Sequence, residues 1–432
     1  MRWENATMLG VLGVRRRLPR ALHDRDFAMF VLVVLAMNLG SQMIAVAIGW
    51  QVYDIHHRAF DLGLIGLLEF APVFVLALPA GTLTDRVARR VVLAMAAGLL
   101  VAVAASLIAV SASGAHELWP FLALAIASGT ATALYFPPTR ALPGMLVGRE
   151  LLPSALAIRS VSAQTAMVAG PALGGLLFTV APEVVYSTAL ALFAACLLAL
   201  LAIRVRPITR AAPASQIAGL LGGIRFIGRT PILLGVILLD LFAVLFGGAV
   251  ALLPVFAQTI LHIGPAGLGL LRSAPALGAV AGGLVLIRRP LSTAAGPTMI
   301  FVVSLFGASM VAFGLSHWMI LSLAALAISG AADIVSVNIR TTTATLITPD
   351  HVRGRVGAVE AVFVGASNQL GAFESGTAAA LIGAVPAVVA GGAVTILIAL
   401  GWTRLFPDLA RLGRLSELGP AEEPAAQGVS VA

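Results

Sequence analysis

Twelve apolar runs, each about the 20 residues a helix needs to cross a hydrocarbon core, take up most of this chain and leave few other folds open to it. They fall at 27–49, 62–80, 91–112, 118–142, 155–180 and 184–203, and again at 231–255, 267–287, 299–315, 318–338, 356–383 and 385–402. In lipid every backbone polar group must be satisfied within the protein, so runs of this length predict helices. The expected organisation is a segment 1–26, a six-helix bundle 27–203, a connector 204–230, a second six-helix bundle 231–402, and a polar tail 403–432 that reads as disordered.

The charges between the runs give the direction. Arg2, Arg15, Arg16, Arg17, Arg20 and Arg25 precede the first run, and the central connector holds Arg206, Arg210, Arg225 and Arg229. With the N-terminus inside, Arg86, Arg89, Arg90, Arg149, Arg288, Arg289, Arg353, Arg355, Arg404, Arg411 and Arg414 all fall on the same side, and only Arg58 lies in an outer loop. This is the positive-inside pattern of a multi-pass protein of a bacterial inner membrane with both termini cytoplasmic. The net charge of +8 therefore reports orientation, and no nucleic-acid partner is expected.

With 59% apolar and 11% charged residues, composition excludes a soluble enzyme of ordinary kind. The seven histidines lie in or beside loops without ligand spacing, and Cys196 is the single cysteine, so neither a metal site, a disulfide framework nor any cofactor is expected. No cleavable signal peptide is read at the N-terminus. Displacing the chain by about 200 residues aligns Arg140 with Arg340 and Glu150 with Asp350, and nearly aligns Arg89-Arg90 with Arg288-Arg289, so the two sets of six read as an internal repeat.

Between the second and third runs stands Gly81-Thr82-Leu83-Thr84-Asp85-Arg86-Val87-Ala88-Arg89-Arg90. Its glycine, leucine, aspartate, arginine and closing basic pair resemble the signature loop of the major facilitator superfamily, with Ala88 where that family usually has glycine. The fifth run contains Gly170-Pro171-Ala172-Leu173-Gly174-Gly175, which is similar to the antiporter motif of the family's exporters, with Ala166 at the position of an earlier glycine. Trp50-Gln51-Val52-Tyr53, residues 137–143, Leu239-Asp240-Leu241-Phe242-Ala243 and Arg353-Gly354-Arg355-Val356 resemble the branch that contains the enterobactin (siderophore) exporter and macrolide-efflux-like proteins. The resemblance covers about residues 20–405. It implies an all-α polytopic fold of 12 transmembrane helices in two pseudo-symmetric bundles, with the first, second, fourth and fifth spans of each half lining a cavity.

Ionisable groups inside a span are expensive and therefore candidates for function. Glu69, Asp240, Arg272 and Glu374, with Gln42, Asn38, Asn368 and Gln369, are the substrate and proton-coupling candidates. Asp240 and Arg272 could instead form an ion pair within the second half. Gly81, Asp85, Arg86, Arg89, Arg90, Arg140, Arg159, Asp333, Arg340, Arg353, Arg355 and Glu360 are the candidates for a cytoplasmic gate, and Asp85 could pair with a basic residue or cap the third helix. Gly170, Pro171, Gly174 and Gly175 would let the fifth span bend and seal against the other half. Phe136-Pro137-Pro138-Thr139-Arg140 is expected to break the end of the fourth span. The fourth span lacks an arginine shortly before Gly129, a residue many proton-driven exporters of the family have.

The function this implies is secondary active export of a small organic molecule, a siderophore-like metabolite, by alternating access and proton antiport. The alternatives are macrolide or multidrug efflux and, from another class, a membrane sensor without transport. The expected partners are the small-molecule substrate, protons and the lipid bilayer, and the expected state is a monomer.

Overall fold

The computed structural model describes residues 20–114, 116–203, 216–288, 294–415 and 418–419, without the side chains of Ala77, Leu78, Asp85 and residues 216–220. Arg2, Arg15, Arg16, Arg17, Arg206, Arg210, Arg289, the tail beyond 419 and the Asp85 side chain thus lie outside the described residues. Each apolar run is a helix: α1 (Arg25–His56), α2 (Ala59–Arg86), α3 (Arg89–Ala112), α4 (Trp119–Ala141), α5 (Leu152–Phe178), α6 (Pro182–Ala202), α7 (Pro231–Gly247), α8 (Pro265–Arg288), α9 (Ala295–Gly314), α10 (Met319–Ile347), α11 (Asp350–Ile382) and α12 (Ala384–Leu405). Among the described residues 11 helical segments are long and apolar enough to cross a membrane. The 33-residue α11 is not among them, because Asp350, Arg353, Arg355, Glu360 and Glu374 dilute its hydropathy.

The packing repeats. In the first bundle α1 lies against α5 and α6, α2 against α4, and α3 against α4 and α6. In the second α7 lies against α11 and α12, α8 against α10, and α9 against α10 and α12, which is the same pattern six helices on. The bundles meet through α2 with α11 and through α5 with α8. The start of α1 and the end of α12 lie at one end of the molecule, the terminal face; the short turns after α1, α3, α5, α9 and α11 mark the opposite, distal face. At the distal turn between α11 and α12, Gly383 has φ +90, a conformation that only glycine adopts without strain.

Five expectations change. The signature stretch is mostly helix: Gly81 to Arg86 are the last turns of α2, the connection is Val87 and Ala88, and the N-cap of α3 is Ala88, which makes no side-chain capping bond. Pro137 and Pro138 do not break the fourth span. α4 runs through both to Ala141, with the Leu142 amide still bonded to the Pro138 carbonyl and Thr139 Oγ donating to the carbonyls of Tyr135 and Phe136.

The connector contains a helix, Gln216–Arg229, whose Ile227 is buried with Val356 and Val359 of α11 and Leu233 and Ile237 of α7. The tail does not begin disordered at Thr403. It folds through Pro407–Ala410, buries Leu409, Leu412 and Leu415, and accepts bonds from the Ala295 and Gly296 amides on the Gly413 and Leu412 carbonyls at 2.9 and 3.0 Å. Leucines at this spacing in a polar stretch find the exposed start of α9 to cover.

The seventh span is broken rather than continuous. After Gly247 the chain turns through Gly248 and Ala249, then a short 3-10 segment, and ends in a π turn at Phe256–Ile260. The carbonyl of Gly248, freed by the break, accepts from Ser375 Oγ of α11 at 2.6 Å. Non-helical backbone at this depth persists only where protein groups satisfy it.

Candidate functional site

The two bundles come closest where glycines leave backbone to meet backbone. A Cβ on Gly63 of α2 would lie 3.2 Å from the Gly376 Cα of α11, and one on Gly376 would lie 2.9 Å from the Gly63 Cα. On the other flank a Cβ on Gly175 of α5 would lie 2.9 Å from the Gly269 Cα of α8 and would overlap the Pro265 carbonyl. Each contact joins the second helix of one repeat to the fifth helix of the other, and both lie toward the distal face. Ser273 Oγ donates to the Val168 carbonyl at 2.7 Å and Gln258 Nε2 to the Trp50 carbonyl at 3.2 Å, adding polar links across the same seam.

The glycine motif of α5 divides its work. Gly170 and Gly174 face α1 of their own bundle, where a Cβ would meet Gln42 Cβ at 2.6 Å and Met43 Cα at 2.8 Å; Gly175 faces the other bundle. Pro171 lies inside the helix without ending it. Gly129, read only as the place where an arginine is missing, is occupied by packing: a Cβ there would overlap the Glu69 carbonyl of α2.

The charged candidates gather in two groups at mid-depth. In the second bundle Asp240 of α7 is ion-paired with Arg340 Nη1 of α10, and Arg340 Nε lies 3.3 Å from Glu360 Oε1 of α11. Asp240 and Arg340 are each 4% exposed. Asp333 of α10 completes the group and shares with Asp240 and Ser336 the wall of a cavity of about 10 Å³, space for one water. This removes Asp240 from the Asp240–Arg272 pair considered above: its partner is Arg340. It also draws Asp333, Arg340 and Glu360 inward, into the core of the second bundle.

Arg272 of α8 turns the other way, toward the first bundle. Its Nη1 approaches the Ala45 carbonyl of α1 at 3.5 Å, and its electrostatic partner is Glu69 of α2. Two of the coupling candidates thus face each other from opposite bundles. Glu374 stands apart from both groups, as do Asn368, which bonds the Val364 carbonyl of its own helix, and Gln369, whose Oε1 would be 3.3 Å from a Cβ on Gly66.

In the first bundle, Asn38 of α1 donates to the Tyr135 hydroxyl of α4 at 2.6 Å and to the Val34 carbonyl at 2.7 Å. Arg159 of α5 is a charge acting on that hydroxyl. It does not join Asp333 or Glu360. Tyr135 was missed in the sequence, where a tyrosine in an apolar run carries no charge to flag it.

At the terminal face Arg89 Nη1 donates to Met145 Sδ at 2.9 Å, and Arg90 Nη1 donates to the Ile203 carbonyl. Both tie α3 to its own bundle. Arg353 pairs with Asp350 at 2.6 Å, Arg355 lies against Gly222 and Gly223 of the connector helix, and Arg140 is exposed at the end of α4. Among the described residues no group of three His, Cys, Asp or Glu side chains could hold a metal ion.

Comparison with known proteins accords with this architecture. The enterobactin exporter EntS of Citrobacter koseri is 27% identical over 375 residues, covering 84% of this chain and 89% of the relative. EntS of Escherichia coli O139:H28 is 27% identical over 320 residues, covering 73% and 76%. Among solved structures, a bacterial homologue of the human lysosomal transporter Spinster, in an inward-facing and occupied conformation, superposes with a TM-score of 0.71 at 14% identity over 89% of this chain and 97% of that one. A D-xylose-proton symporter superposes with a TM-score of 0.69 at 12% identity over 89% and 98%. A model of the transmembrane secretion effector family matches residues 20–411. The chain is a multi-pass membrane protein with the major facilitator fold, and it belongs to the transmembrane secretion effector family of that superfamily of transporters.

Proposed function

We propose that this transporter exports a siderophore-like secreted metabolite across the bacterial inner membrane, as a monomer working by alternating access in exchange for protons. The observation that carries the reading is the pair of repeat-related glycine contacts. Two rigid six-helix bodies touching backbone to backbone near one face can rock about that seam, because each contact is made or broken as a unit. The relatives named as enterobactin exporters support the direction and the substrate class of this reading. With the arginine-rich terminal face in the cytoplasm, the seam lies toward the outside.

In this reading the second-bundle cluster handles the proton. Asp240, Asp333 and Glu360 surround one guanidinium, so the fully ionised cluster has more negative than positive charge in a medium that tolerates neither. Taking up a proton there lowers the imbalance, and releasing it restores the demand on Arg340. The gate is formed by the signature stretch and its terminal-face neighbours, Gly81, Asp85, Arg86, Arg89 and Arg90 with Arg140, Arg353 and Arg355.

The test is uptake into everted vesicles under an imposed proton gradient, with a catecholate siderophore and a macrolide offered side by side and Asp85→Asn as control. Siderophore accumulation that collapses with the gradient is expected. Macrolide accumulation alone moves the assignment to drug efflux, and modification of either compound without flux removes the transport reading.

A further inference from the structure

The first, fourth and fifth helices of each bundle bring polar side chains to one place, and the two places differ in charge. In the second bundle the contributors are Asp240, Arg340 and Glu360, with Asp333 beside them. In the first they are Asn38, Tyr135 and Arg159. Asn38 and Asp240 stand roughly 200 residues apart on corresponding helices, as do Arg159 and Glu360. The first bundle therefore holds an amide where the second holds a carboxylate, and a cation where the second holds another carboxylate.

Arg340 has its counter-ions built in; among the described residues Arg159 has none. Among the described residues Arg159 has neither an ion-pair nor a hydrogen-bond partner, and its Nε is shut away from solvent. A guanidinium at this depth is stable only against an anion or water, and its buried Nε–H is costly to leave unpaired. Tyr135, on whose hydroxyl this charge acts, is poised to donate. Asn38 Nδ2 spends one hydrogen on the Val34 carbonyl and the other on the Tyr135 oxygen, so the tyrosine accepts from Asn38 and keeps its own O–H for another acceptor. Guanidinium and phenol together offer several donors, and the cluster supplies no carboxylate to meet them.

We propose that Arg159, Tyr135 and Asn38 form an anion-binding site in the first bundle that takes the carboxylate of the transported molecule. Arg159 grips the anion through its fork, Tyr135 donates a second contact, and Asn38 positions Tyr135 without touching the ligand. The assignment rests on the transport reading above and names the charge class of its substrate. A positive site in one bundle and an acidic one in the other lets substrate anion and proton be held apart, each by its own half.

The experiment is equilibrium dialysis of the purified full-length protein in detergent with a matched pair of probes, 2,3-dihydroxybenzoate and its neutral amide, 2,3-dihydroxybenzamide. Wild type is expected to bind the acid saturably and at least tenfold more tightly than the amide. Arg159→Gln should abolish that preference while leaving the amide unchanged, and Arg159→Lys should keep part of it. Asn38→Asp, which gives the first bundle the acid that the second already has, should supply an internal counter-ion and expel the probe. Equal binding of acid and amide, no saturable binding of the acid by wild type, or a preference that survives Arg159→Gln and Asn38→Asp but is lost in Arg272→Gln overturns the proposal. Vesicle export without this preference sinks the anion site and leaves the exporter standing; charge-selective binding without any flux does the reverse.

Discussion

Adding a side chain at Gly175 tests the seam directly. A Cβ there would lie 2.9 Å from the Gly269 Cα and would overlap the Pro265 carbonyl, whereas carbon atoms pack at about 3.5–4.0 Å. α5 and α8 must therefore part by roughly 0.6 Å or more at this point before alanine fits, and further for valine. Overpacking of this kind costs about 1–3 kcal/mol, while the change in helix propensity is common to both states of the proposed rocking and cancels from their ratio. The overpacking penalty falls on the distally sealed state alone, so Gly175→Val should shift the sealed-to-open ratio by about 5-fold to 100-fold toward open.

Gly63→Val strikes the symmetry-related contact and should do the same. In the proposed rocking both penalties fall on the same state, so their effects on the ratio should multiply in the double substitution until the sealed state is no longer populated. Spin labels at His116 and Trp318, on distal turns of the two bundles, read the separation by pulsed electron resonance. Gly98→Val is the control, since nothing lies within 4 Å of a Cβ at that site. Distance distributions unchanged in both seam variants, or changed equally in Gly98→Val, would refute the reasoning.

Removing Arg340 should be the most damaging change in the second-bundle cluster: Arg340→Met leaves Asp240 and Glu360 facing each other, and a fall in stability of about 3–5 kcal/mol is expected by thermal denaturation in detergent, more than for Glu360→Gln. Gly129→Ala should impair folding, since the new methyl group meets the α2 backbone at Glu69; full expression and an unshifted melting temperature would contradict this. Ending the chain after Arg404 should lower the melting temperature because Leu409, Leu412 and Leu415 then no longer cover the start of α9; an unshifted melting temperature would contradict this. Trp402→Phe leaves the Gly235 carbonyl without the indole donor that reaches it at 2.9 Å, at a cost of about 1–3 kcal/mol in the same assay.

The helices and their pairing into two like halves were legible because hydrocarbon leaves the backbone no other choice and arginines keep to one side. Charges at mid-depth were legible too, since a single ionised group among leucines announces itself. Their partners were not. Whether Asp240 meets Arg272 or Arg340 depends on the rotation of α7 and α8 about their axes, which several small glycine and serine contacts set together. Neutral groups such as Tyr135 and Ser375 were silent in the sequence, because a hydroxyl acquires meaning only from the acceptor that packing places beside it. The tail was misread for a related reason: composition reports solubility, and three spaced leucines among polar residues do not raise it to a recognisable level.

The crossing of contacts between repeats has a consequence for how such a chain arises. Gly63 and Gly269 hold the same place in their halves, and so do Gly175 and Gly376. If the halves were identical, the α2–α11 and α5–α8 contacts would be one contact made twice, by a patch that complements itself about a two-fold axis. A single six-helix chain with one glycine on its second helix and one on its fifth already carries everything needed to dimerise in this geometry. Gene fusion would then have preserved an existing interface and freed the two copies to diverge, which is how corresponding corners could come to hold opposite charge.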